Sequence, residues 1–123
     1  MTDNIYFFDS YALIEIILGN PNYKPYILSY IVTTKLNIFE VYNGLLRDVG
    51  KEEAEKFLEK YYQFVIDFNK EVIKKAAQLR INYKKRDISM TDCIGYVLAK
   101  ILGIKFLTGD KEFKYFDNVE FIK

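Results

Sequence analysis

Histidine is absent from this 123-residue chain, and cysteine occurs once, at Cys93. Without histidine there is no Ser-His-Asp or Cys-His nucleophilic system, no His-ligated zinc and no imidazole base. A single cysteine forms no intramolecular disulfide and builds no structural zinc site, so a reducing compartment is the default. Long hydrophobic runs are missing too, since nothing approaches the ~20 apolar residues that span a bilayer. The N-terminal MTDNIYFFDS lacks the basic segment and long apolar run of a secretory signal. A cytoplasmic location and no membrane partner are therefore expected. Charge of one sign is not in excess either: 18 Lys and Arg face 17 Asp and Glu, a net charge of +1. That balance excludes neither nucleic acid nor protein partners, because patches matter more than totals. An enzyme of this composition must work with carboxylates, hydroxyls, lysines or a bound ion.

Half of the residues are apolar and 17% are aromatic, enough for a sizeable core. The length fits one compact domain over 1–123, with no repeat, low-complexity tract or linker. Apolar runs at 5–8, 30–34, 64–68, 104–107 and 119–122 read as strands. Between them, 11–18, 35–49, 51–62, 69–83 and a segment from Ser89 to Gly103 read as helices. Ile38, Val41, Tyr42, Leu45 and Val49 share one side of their helix, and Ala54, Phe57, Leu58 and Tyr61 do so in the next. Ile94, Val97, Leu98 and Ile101 form the stripe of the last helix. Short apolar strands alternating with helices predict an α/β fold with a parallel sheet covered on both faces. In such sheets the sites lie along the carboxyl edge.

Asp9 follows the first strand and Asp110 the fourth, which places both at that edge. Each also has an ordinary explanation, the cap of the next helical segment. Glu40 falls on the polar side of its helix with Asn43, Gly44 and Arg47, where periodicity alone makes it a solvated glutamate. Asp92 stands three residues after Ser89, a variant capping box, and points toward the side carrying Gly95 and Ala99. Small residues there would let another segment approach closely. If the four acids converge, two like charges ~4 Å apart repel by roughly 4 kcal/mol at an effective dielectric of 20. Such a group must protonate, recruit basic side chains or bind a cation. Oxygen donors of this kind suit Mg²⁺ or Mn²⁺.

The pieces IYFFDS, NIFEVYNGLLR and SMTDCIGYVLAKILGIKFLTGDKEF occur in the order of the acidic motifs of PIN domains. Over essentially its whole length the chain resembles that family, and within it the VapC-like toxins of type II toxin–antitoxin systems. The resemblance implies a three-layer α/β/α fold with a parallel sheet of about five strands. It implies that Asp9, Glu40, Asp92 and Asp110 form an acidic quartet for Mg²⁺ or Mn²⁺, with Asp9 and Asp92 as the most direct ligands. Ser10 and Thr108 fall where the motif has a hydroxyl beside its acid. The implied activity is hydrolysis of RNA by an activated water, leaving a 5′-phosphate. The implied partners are an RNA substrate, a cognate antitoxin and a second copy in a homodimer.

Other features have plainer readings. Lys84-Lys85-Arg86 is a solvated loop before it is a phosphate contact, and Arg47 is as much a surface cation as an RNA contact. Tyr11, Tyr42, Phe57, Tyr61 and Phe64 are core residues that also suit a dimer or antitoxin groove. Cys93 is a small core residue, and Asp117 stays outside the site. A PIN fold that binds RNA or protein without cleavage is the alternative function. A phospho-acceptor receiver domain, suggested by Asp67 and Lys111, leaves Glu40 and Asp92 unexplained. A dehalogenase-like phosphatase needs an acid where Tyr11 stands.

Overall fold

The computed structural model describes residues 4–123. Strand β1 (Ile5–Phe8) leads into helix α1 (Ser10–Leu18), and a 3₁₀ segment, Pro21–Tyr26, returns the chain to β2 (Tyr30–Val32). Helices α2 (Lys35–Asp48), α3 (Lys51–Tyr61), α4 (Lys70–Asn82) and α5 (Met90–Leu102) follow. Strands β3 (Lys105–Thr108) and β4 (Val119–Phe121) flank a short 3₁₀ turn, Lys111–Phe113.

The helix ends are where the sequence puts polar caps and glycines. Asp9, Thr34, Asn69 and Ser89 cap α1, α2, α4 and α5 through their side chains. Gly19 and Gly103 close α1 and α5 in left-handed conformations, at φ 77° and 73°, which cost a glycine little.

All strand pairs are parallel, and the order is β2-β1-β3-β4. The chain therefore leaves β1 toward one neighbour and later returns to its other side. The boundary between β1 and β3 is the topological switch point, beside which open α/β sheets place their ligands. Alternation along the strands separates two cores. Phe7 and Phe106 face α4 and α5, while Phe8 and Leu107 face α1, α2 and α3. The result is a three-layer α/β/α arrangement.

The sheet has four strands where the sequence pattern gives about five. Segment 64–68 makes one parallel bridge, Thr33 to Val65, held by Thr33 N–H to the Phe64 carbonyl (3.1 Å) and Ile66 N–H to the Thr33 carbonyl (2.9 Å). Strand β2 is only three residues long because Thr34 turns away to cap α2, which leaves nothing further to pair with. Two stripe residues also sit elsewhere than expected. Val49 is exposed at the end of α2, and Ile101 is exposed near the end of α5.

Gly95 lets α5 approach the sheet. A Cβ there would lie 2.7 Å from Cε1 of Phe7 and 3.2 Å from Cε1 of Phe106. Both rings are fully buried and stack with centroids 5.7 Å apart, so neither has room to retreat. Gly95→Ala is expected to cost ~1–3 kcal/mol, the usual range for overpacking. The check is a lower urea midpoint with an unchanged slope.

Candidate active site

Asp9 leaves the end of β1 and is almost fully buried. Its carboxylate accepts from the Ala12 amide (2.8 Å), the cap of α1, and from the Thr108 hydroxyl at the end of β3. Thr108 is itself fully buried, and its hydroxyl oxygen also accepts from the Asp110 amide (3.0 Å). One side chain thus ties the acids that follow adjacent strands. Asp110 in turn caps the 3₁₀ turn through the Glu112 amide (3.0 Å).

Asp92 sits in the first turn of α5. Its amide donates to Ser89 Oγ (3.1 Å) and its carboxylate takes the Ser89 N–H, the reciprocal pattern of a capping box. Glu40 projects from the exposed side of α2, where Ser10 Oγ donates to it at 2.6 Å. The cap and the cluster are compatible: Asp9, Asp92 and Asp110 act as caps and also face one another.

Their electrostatics record the convergence. Burial pushes the Asp9 carboxyl well above the ordinary 3.8, against the hydrogen bonds from Thr108 and Ala12, and the charges of Asp92 and Asp110 push it further. Burial likewise raises Asp92 to about 6, with Ser89 opposing and Asp110 and Glu40 adding to the rise. Among the described residues no lysine or arginine is ion-paired with any of the four acids. The salt bridges there join Arg47 to Asp48, Lys56 to Glu53, Lys75 to Glu71, Arg86 to Glu112 and Lys100 to Asp117. An uncompensated anionic group of hard oxygens fits a divalent cation. Among the described residues, however, no three carboxylates are gathered tightly enough to close around an ion as they stand.

Periodicity misses Thr34 and Asn37. Asn37 is fully buried, donates from Nδ2 to Ser10 Oγ (3.1 Å) and accepts at Oδ1 from the Thr34 hydroxyl (2.7 Å). The available signal is its place one helical turn before Glu40 and three residues after the cap of α2.

The secondary candidates have ordinary roles. Arg86 is held at the Glu112 carbonyl (2.9 Å) over the Phe116 ring, and exposed Arg47 pairs with Asp48. Phe57, Tyr61 and Phe64 line an apolar groove of about 450 Å³ with Ile16, Ile17 and Ile27. Tyr11 instead packs by Gly109 and the Tyr42 hydroxyl donates to Glu55, so neither lines that groove. Cys93 is a core residue whose thiol burial pushes up to about 11. Asp117 accepts from the Tyr96 hydroxyl and pairs with Lys100, away from the quartet. No helix among the described residues is long and apolar enough to cross a membrane.

Solved structures share the architecture. A toxin–antitoxin complex from Klebsiella pneumoniae is 18% identical, with a TM-score of 0.73 over 94% of this chain and 95% of that one. Mycobacterium tuberculosis VapC20, a sarcin-ricin loop cleaving toxin, is 17% identical, with a TM-score of 0.73 over 96% and 99%. VapBC2 from Rickettsia felis, bound to a DNA fragment from its promoter, is 18% identical, with a TM-score of 0.75 over 97% and 99%. At such identities the likeness is one of fold. No curated protein sequence matches the chain. The PIN domain family model matches residues 6–119, which takes in the two strand-edge aspartates and both acidic helices. The chain belongs to the PIN domain family.

Proposed function

We propose that this protein is a divalent-metal-dependent endoribonuclease and the toxin of a toxin–antitoxin pair. The observation that carries the reading is that Thr108 ties Asp9 to Asp110 at the β1/β3 edge, with Asp92 near enough to feel both charges and none of these acids ion-paired among the described residues. The solved structures that share the fold, one of them a loop-cleaving toxin and one a toxin–antitoxin complex, support the same reading. On this reading the protein takes RNA as substrate, is neutralised by an antitoxin protein, forms a homodimer and acts in the cytoplasm.

Asp9, Asp92, Glu40 and Asp110 would hold the Mg²⁺ or Mn²⁺. When bound, such an ion acidifies a water and neutralises charge on the scissile phosphate, which replaces the histidine base the chain lacks. The protein's own part is orientation. Thr108 and the start of α1 fix Asp9, Ser89 fixes Asp92, and the Ser10 hydroxyl fixes Glu40. Attack of water on phosphorus expels the 3′ oxygen, so the products carry a 5′-phosphate and a 3′-hydroxyl.

The test is cleavage of RNA with Mg²⁺ or Mn²⁺, with EDTA and Asp9→Asn as controls. Cleavage that stops in both controls and leaves 5′-phosphate ends is expected. Cleavage unchanged by EDTA, or 2′,3′-cyclic phosphate products, would reject the mechanism. The present spacing of the acids favours one rival, a PIN fold that binds RNA or protein without cutting it. RNA binding without any cleavage under the same conditions would establish that rival.

A further inference from the structure

We propose that Asn37 is a positioning residue that holds Ser10 in a hydrogen-bonded relay ending on Glu40. The inference rests on the metal-centre reading, because it concerns how one acid of that centre is held.

The relay runs from Thr34 through Asn37 and Ser10 to Glu40, with links of 2.7, 3.1 and 2.6 Å. Its direction is fixed at the far end. An ionised carboxylate only accepts, so the single Ser10 proton must point to Glu40. Ser10 can then only accept from Asn37, which therefore presents its NH₂ group. The Asn37 carbonyl is left to accept from Thr34. The other members match this polarity: the Thr34 oxygen also accepts the Asn37 amide (3.3 Å) as the cap of α2. A leucine in place of Asn37 would leave the Ser10 hydroxyl free to rotate, and a rotated hydroxyl presents lone pairs to Glu40.

Burial makes the arrangement rigid. Thr34 and Asn37 are both fully buried, so no water competes for these donors. Glu40 itself is exposed and would otherwise sample many rotamers. Ser10 follows Asp9 directly, so the relay also fixes the distance between the β1 edge and α2. Asn37 touches no substrate on this account. It acts through Ser10 on Glu40.

The experiment is a double-mutant cycle read as Mn²⁺ affinity of the RNA-free protein. Asn37→Leu is expected to weaken Mn²⁺ binding about tenfold, the low end for residues that support metal ligands. In a Glu40→Gln background the same change should have less than about twofold further effect, because the relay no longer ends on a ligand. Equal losses in both backgrounds, or no loss in either, would overturn the inference. If Asn37→Leu loses its far-UV CD signal, Ser10→Ala replaces it in the cycle with the same expectation. Ser10→Thr, which keeps the hydroxyl, should retain affinity within about twofold. RNA is not needed at any step. A chain that binds Mn²⁺ and cuts no RNA would therefore remove the ribonuclease reading and leave the result of the cycle untouched.

Discussion

Replacing Asp92 by asparagine is expected to abolish RNA cleavage and, at the same time, to make the metal-free protein harder to melt. The two effects have one cause. Asp92 lies where burial and the neighbouring charges of Asp110 and Glu40 disfavour its ionised form, so its carboxyl is raised to about 6. Between 3.8 and 6, about 3 kcal/mol separates the ionised carboxyl in the unfolded chain from the same group in the fold. Asparagine keeps an oxygen for the Ser89 N–H and carries no charge, so that penalty disappears at neutral pH. A rise in Tm on the order of 5–10 °C follows if most of it is recovered. Cleavage should fall at least about 100-fold, the scale on which loss of one charge-stabilising group acts. A residue that only capped α5 would behave in the opposite way, with a small loss of stability and full activity. Thermal melting in EDTA and cleavage in Mn²⁺, run on the same preparation, separate the two.

The fold was more legible than the site, for a physical reason. Strands such as IYFF and KFLT are buried on both faces, so their apolar runs report the sheet directly. Glycine caps after α1 and α5, and polar caps before four helices, act through local geometry that neighbouring residues encode. Segment 64–68 failed as a strand because a strand needs a partner. The length of β2 is set by where Thr34 begins to cap α2, which no pattern within 64–68 contains.

The site depends on what separate segments do to one another. Asp9 and Asp110 were placed at the strand edge by topology, and the β1/β3 pairing makes them neighbours. Glu40 read as a solvated residue and is indeed exposed; the Ser10 hydroxyl, thirty residues away in the chain, ties it to the residue beside Asp9. Asn37 was invisible because a buried amide has no periodicity of its own. Its role appears only when the start of α1 and the first turn of α2 are seen side by side. Capping also turns out to be the means by which the acids are aimed. A side chain that accepts the N–H groups at the start of a helical segment has few rotamers left, and Asp9, Asp92 and Asp110 each lose their freedom in this way.

Without divalent cation, the protein should lose stability as pH rises from about 4 to 7, and added Mg²⁺ or Mn²⁺ should remove most of that loss. The sign follows from the raised carboxyls. A carboxyl whose folded value lies above its unfolded one holds its proton longer in the fold. Below 3.8 both states of Asp92 are protonated and nothing is lost. Between 3.8 and about 6 the unfolded chain has released a proton that the fold retains, so stability declines with pH, and above 6 the full penalty stays. Asp9 acts in the same direction, through its burial and the charges of Asp92 and Asp110. Asp48 and Asp117 act in the opposite direction, held low by Arg47 and by Tyr96 with Lys100, but both are exposed and contribute little. A cation binds the ionised acids of the fold and not the dispersed acids of the unfolded chain. At 100 times its dissociation constant it would contribute about 2.7 kcal/mol, comparable to the penalty from Asp92. Near pH 4 the same addition should do far less, because the raised carboxyls of Asp9 and Asp92 still hold their protons. Melting curves across this range, with EDTA and with Mn²⁺, are therefore expected to diverge as pH rises. Curves that stay parallel would mean that the four acids do not share an ion.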